Sequence, residues 1–166
     1  MSRKPAHKRR DDKFAIDISN QQSRHLVDEE RLCDAVRAVL RESGFASATV
    51  SIAVVDDPSI HELNRQYLDH DWPTDVLSFV LEERDGHLEG EVIISADMAA
   101  TTAVEAGWAA AAEQLLYVVH GTLHLVGYRD KTSADAQKMR AAEAKYLRQF
   151  GFVPSPGAAR RGATAP

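Results

Sequence analysis

Apolar residues recur along the chain with two different periods. In FAIDI (14–18), Phe14, Ile16 and Ile18 alternate with other residues, the period of a strand with one buried face. Over 28–44 the period lengthens. Leu32, Val36, Val39 and Leu40 share one stripe of an amphipathic helix that starts at Asp28 and stops at Gly44. TVSIAVV (49–55) is β-branched and apolar on both faces, which predicts a central strand. Asp57-Pro58 predicts the next helix start, with Asp57 at the N-cap and Pro58 in the first helical position. Ile60, Leu63 and Tyr67 are then aligned on one face.

VLSFVL (76–81) and EVIIS (91–95) flank a charged segment containing the turn dipeptide Asp85-Gly86, so they read as neighbouring antiparallel strands. From Ala96 to Val126 the chain is Ala-rich and helical, with a break at Gly107. The half from Ala109 onward has too few charges for a surface helix and is expected to be a buried central helix. Thr132 with Asp135 resembles a capping box, opening a helix that ends at Gly151. Strands early and two long helices late make the class α+β. The folded unit is expected over 14–153 as one domain. A basic arm (1–13) and a low-complexity tail (154–166) are expected to be disordered.

Composition agrees with one domain. A chain of 166 residues, 44% apolar and 27% charged, can bury about 70% of its unfolded surface without disulfide staples. Its single cysteine, Cys33, lies inside the first helical stripe and reads as a small buried side chain in a reducing compartment. The basic amino terminus has no apolar run behind it, and no window approaches a membrane span, so the expectation is a soluble cytoplasmic protein with no membrane partner. Charge is uneven. Residues 14–153 hold twelve Lys or Arg against twenty-three Asp or Glu, a net of −11, while residues 1–13 carry +4. The core therefore lacks the bulk basic footprint of most nucleic-acid proteins, and any such contact has to be local or come from the arm.

The chemistry concentrates in HGTLHLVGYRD (120–130). His120 and His124, four apart on a helix, project from one face a turn apart, the spacing that chelates one divalent ion. Gly127 permits a sharp exit that swings Asp130 back toward them. Two His and one Asp, with a position left open for water, are the ligand set of a catalytic rather than a structural metal site. The HxxxHxxGxxD spacing matches that of zinc proteases except that Gly121 stands where a protease carries its Glu base, which disfavours ordinary proteolysis.

With LNRQYLDHDWPTDVLSF (63–79) and EGEVIIS (89–95), this block makes the chain resemble the YbeY family of metal-dependent endoribonucleases over about residues 50–150. The resemblance implies an α+β fold with a small mixed sheet, a metalloprotease-like core and one zinc ion on the central helix. It further implies cleavage of single-stranded RNA rather than DNA, action at the 3′ end of 16S rRNA in rRNA maturation and ribosome quality control, and the small ribosomal subunit or its proteins as partners. A non-catalytic ribosome-assembly factor that keeps fold and metal site is the alternative.

Two positions depart from the family pattern. Its block ends in Asp-His, where this chain has Arg129 and Asp130, and it carries an arginine after the tyrosine of the second helix, where this chain has Leu68. Arg65, one turn before Leu68, and Arg129, beside the expected ligand, are the candidate catalytic cations that could replace it. Asp75 could line the cleft or serve its own turn. Glu91 could orient a ligand histidine or face solvent. Trp72 and Trp108 could stack bases or belong to the core.

Overall fold

The computed structural model describes residues 13–154. The expected arm and tail lie outside them, except for Lys13 and Pro154. The elements are β1 (Phe14–Asn20), α1 (Glu29–Arg41), β2 (Ser47–Val55), α2 (Asp57–Leu68), β3 (Val76–Arg84), β4 (His87–Ser95), α3 (Ala96–Ala106), α4 (Ala110–Leu125) and α5 (Ser133–Gln149). The strand order is β1-β2-β4-β3. β1, β2 and β4 run parallel, and β3 pairs antiparallel with β4 along the outer edge. The fold is α+β with a mixed sheet, as the resemblance implies.

Local chemistry explains most boundaries. Asp28 caps α1 by accepting the Arg31 N–H, and Leu32, Val36, Val39 and Leu40 are buried together with Cys33. α2 is capped by Asp56 rather than Asp57. The Asp56 carboxylate takes the Ser59 N–H, while that of Asp57 accepts the Ser95 hydroxyl at 2.6 Å. The β3–β4 hairpin closes through Asp85 and Gly86, both left-handed (φ 52° and 77°), as a two-residue turn with strand twist requires. Its strands continue through the charged segment to Arg84↔His87, further than apolar patterning alone predicts, because ladder hydrogen bonds do not depend on side-chain polarity.

Side-chain parity sorts the helices onto the two faces of the sheet. Val76, Val92 and Ile94 join the main core with α1, α4 and α5, whereas Leu77 and Ile93 join Val55 and Ile60 in a second cluster beneath α2. β2 is central, although Ser51 on its second face is exposed where α2 does not reach.

α4 is the buried helix: from Ala112 to Leu125 every residue except His124 is buried. It lies very close to the sheet. A Cβ on Gly121 would stand 2.7 Å from Val92 Cγ1 and 3.1 Å from Val76 Cγ2, and one on Gly90 would stand 2.8 Å from Leu125 Cδ1. The Gly121 slot thus faces two valines and has no room for the glutamate of a zinc protease. α5 starts with the Thr132 hydroxyl accepting the Asp135 N–H at 3.1 Å and packs on α4. Its buried stripe is Met139, Ala142, Glu143, Tyr146 and Leu147, one carboxylate among apolar neighbours.

Candidate metal centre

α4 presents His120 and His124 one turn apart near its carboxyl end. The helix finishes at Leu125, Gly127 takes φ 106°, and the Tyr128 N–H returns to the Leu123 carbonyl at 2.9 Å. That reversal brings Asp130 back over the helix end, so His120, His124 and Asp130 each offer a ligand atom within 4.8 Å of the others. The grouping expected from the HxxxHxxGxxD spacing is therefore present.

The outer ring nitrogens define the chemistry of this group. His120 Nδ1 lies 2.9 Å from Glu143 Oε1, and His124 Nδ1 lies 3.0 Å from the Tyr128 carbonyl oxygen. A carboxylate and a carbonyl are acceptors, so each Nδ1 carries a hydrogen, and a ring that is neutral with that tautomer turns a bare Nε2 inward. Two lone pairs and a carboxylate oxygen thus converge, a donor set that calls for a cation. Burial, and after it the nearness of the His120 ring, lowers the His124 pKa below its ordinary value, which favours the neutral ring that a metal needs.

The spacings match a tetrahedral ion. Ligands roughly 2.0–2.1 Å from such an ion lie about 3.3–3.4 Å from one another. Here the edges are 3.1 Å between the Nε2 atoms, 3.4 Å from Asp130 Oδ2 to His124 and 3.6 Å from Asp130 Oδ2 to His120.

The family model described as endoribonuclease YbeY matches residues 17–151. The chain belongs to the YbeY family. Its relatives include endoribonucleases YbeY of Desulfitobacterium hafniense, 41% identical across 70% of this chain and 81% of that protein, and of Geobacter sulfurreducens, 37% identical across 86% and 97%. The solution structure of a Thermotoga maritima protein superposes with a TM-score of 0.56 at 27% identity, covering 82% of this chain and 87% of that one.

The remaining singled-out residues fall in different places. Arg129 is exposed beside Asp130 and lines a cavity with Tyr128 and Lys138. Arg65 sits on α2, the helix on the opposite face of the sheet from α4, with its guanidinium forked onto both carboxylate oxygens of Glu62 at 2.7 and 2.9 Å. Leu68 packs against the second apolar cluster, burial that an arginine head group could not share. Glu91 shares the parity of Ile93 and so projects away from α4. Glu143 is the residue that meets His120 instead.

Asp75 is buried at the start of β3 and accepts the Val76 N–H at 2.8 Å. Trp108 packs half-buried on the main core and points Nε1 at Glu113, whereas Trp72 is half-exposed and stacks on His70 with 4.6 Å between centroids. Glu143 was missed in reading the sequence. Its signal was a lone carboxylate at helical spacing among Met139, Ala142, Tyr146 and Leu147.

Proposed function

We propose that the protein is a zinc-dependent endoribonuclease that cleaves single-stranded RNA in the cytoplasm and acts at the 3′ end of small-subunit rRNA, in rRNA maturation and ribosome quality control. The observation that carries the reading is the convergence of two Nε2 lone pairs and the Asp130 carboxylate with both histidine tautomers set from outside. Membership of a family whose relatives bear the name endoribonuclease supports the substrate class.

Zinc suits the site better than magnesium, because an octahedral ion with ligands at about 2.0–2.1 Å would need edges of about 2.9 Å and prefers oxygen to imidazole. A divalent ion held there supplies Lewis acidity toward a phosphodiester and lowers the pKa of water. The chain's own part is placement. His120 and His124 donate Nε2 while Glu143 and the Tyr128 carbonyl keep the rings from turning, and Asp130 adds a negative charge beside them. Arg129, next in sequence to Asp130, is the cation proposed to meet charge developing on phosphate, and Arg65, across the sheet and forked onto Glu62, is left the lesser part. Gly121 leaves the metal side without the carboxylate base of a zinc protease, which further separates this site from peptide hydrolysis.

The test pairs metal content with cleavage. Elemental analysis of untagged protein should find about one zinc per chain, strongly reduced in Asp130→Ala, and His120→Ala should abolish cleavage of single-stranded RNA. A wild type that takes up no metal when supplied with zinc, or a His120→Ala protein that still cuts RNA, refutes the reading. The apolar seat of Leu68 favours one second reading, an assembly factor without catalysis. It predicts no cleavage by the wild type and small-subunit binding indifferent to His120→Ala.

A further inference from the structure

The segment from Val126 to Arg129 serves the metal cluster: the Tyr128 carbonyl accepts from His124 Nδ1, and Asp130 follows directly. The same segment, together with Asp135 and Lys138 of α5, lines an open cavity of about 380 Å³, within the roughly 300–1,000 Å³ of small-ligand sites. A space of nucleotide size thus shares its wall with the ligand cluster.

Its lining suits a nucleotide. Tyr128 is 39% exposed although its ring is apolar on both faces, and Gly127 beside it, at φ 106°, carries no side chain to cover it. Arg129 and Lys138 are exposed, and neither forms an ion pair among the described residues. Elsewhere in this acidic core several cations close on carboxylates, as Arg37 does on Asp34, Arg65 on Glu62 and Lys145 on Glu42. One carboxylate, Asp135, lines the same cavity, and the two cations outnumber it.

We infer that this cavity is the subsite for the nucleotide adjoining the cleaved linkage, with Tyr128 stacking on its base while Arg129 and Lys138 hold its phosphate. The inference rests on the endoribonuclease reading and adds to it a source of strand selectivity. A base can lie on the Tyr128 ring only after leaving its own helix, so paired RNA cannot fill the site without melting. Stacking accepts any base, and the two cations read phosphate, so the subsite selects single strands without selecting sequence.

The test measures binding of a short 2′-O-methyl phosphorothioate RNA, which resists cleavage, to zinc-loaded full-length protein across a salt series. Each phosphate contact on a single strand contributes about 0.7 to the slope of log affinity against log salt. Lys138→Ala and Arg129→Ala should each lower the slope by about that amount. Tyr128→Ala should weaken binding about tenfold and narrow the preference for single over double strands, while Tyr128→Phe should match the wild type. Zinc content should stay at the wild-type level in the Lys138 and Tyr128 variants, because Tyr128 touches the cluster through its backbone.

An unchanged slope in Lys138→Ala, or equal losses in Tyr128→Phe and Tyr128→Ala, overturns the subsite. If the wild type still binds and cuts RNA in that case, the endoribonuclease reading stands. A wild type that binds no single-stranded RNA overturns both.

Discussion

Glu143 offers the sharpest perturbation of the candidate metal centre because it would act on a bound ion only through His120. Its Oε1 lies 2.9 Å from His120 Nδ1, and the two residues are 5% and 4% exposed, so water does not readily replace a lost partner. Removing an outer partner of this kind typically costs 10–100-fold in metal affinity, or about 1.4–2.7 kcal/mol. Glu143→Ala should fall in that range for zinc, because the ring loses the acceptor that fixes its tautomer. It should also destabilise the metal-free fold by about 1–3 kcal/mol, since the Nδ1 hydrogen is left buried without that carboxylate.

Glu143→Gln keeps the volume and offers an amide oxygen to the same hydrogen but gives up the charge, so its affinity should lie between wild type and Glu143→Ala. Competition against a chromophoric chelator reads the affinity, and thermal unfolding after chelation reads the stability. A structural role alone would lower stability in Glu143→Ala and leave zinc affinity where it was. That outcome, with His120 still bound to the metal, would refute the reasoning.

Three further outcomes follow from the same contacts. Gly121→Ala should lower the melting temperature, because the new methyl meets Val92 and Val76 and overpacking of about 1–3 kcal/mol exceeds the gain of about 1 kcal/mol in helix propensity; a rise in melting temperature would mean that α4 can lift from the sheet at little cost. Arg129→Ala should slow RNA cleavage at least tenfold, whereas Arg65→Ala should change it less, because Arg65 is already forked onto Glu62 on the other side of the sheet; comparison of kcat/KM checks the order, and a larger loss in Arg65→Ala would reverse the assignment. In the metal-free protein burial lowers the His124 pKa, so the unfolded chain takes up a proton that the folded chain refuses. Stability is therefore full above the ordinary histidine value of about 6.5 and is lost as pH falls toward the lowered one, a slope that His124→Gln should reduce in urea titrations at several pH values.

Spacing along the chain was enough to read what depends on near neighbours. The stripe of α1, the capped start of α5, the alternation of β1, the Asp85-Gly86 turn and the buried character of α4 each follow from residue types close together along the chain. So does the pairing of His120 with His124, and the glycine at 127 announced the turn that returns Asp130. The N-cap of α2 was read one residue late, because two adjacent aspartates satisfy the local rule equally and Ser95, 38 residues away, engages the second.

What the sequence did not reveal was which face of the sheet each residue would occupy. Arg65 and Arg129 looked equivalent as candidate cations, yet α2 and α4 cover opposite faces, and a helix start carries no record of the side on which its helix will pack. Glu91 and Glu143 were distinguishable only after strand parity and the seating of α5 on α4 were known. The ligands come from eleven consecutive residues and could be read from them. The carboxylate that orients His120 comes from the next helix, and only tertiary packing could place it there, because the desolvation that makes the contact matter is a property of the whole core.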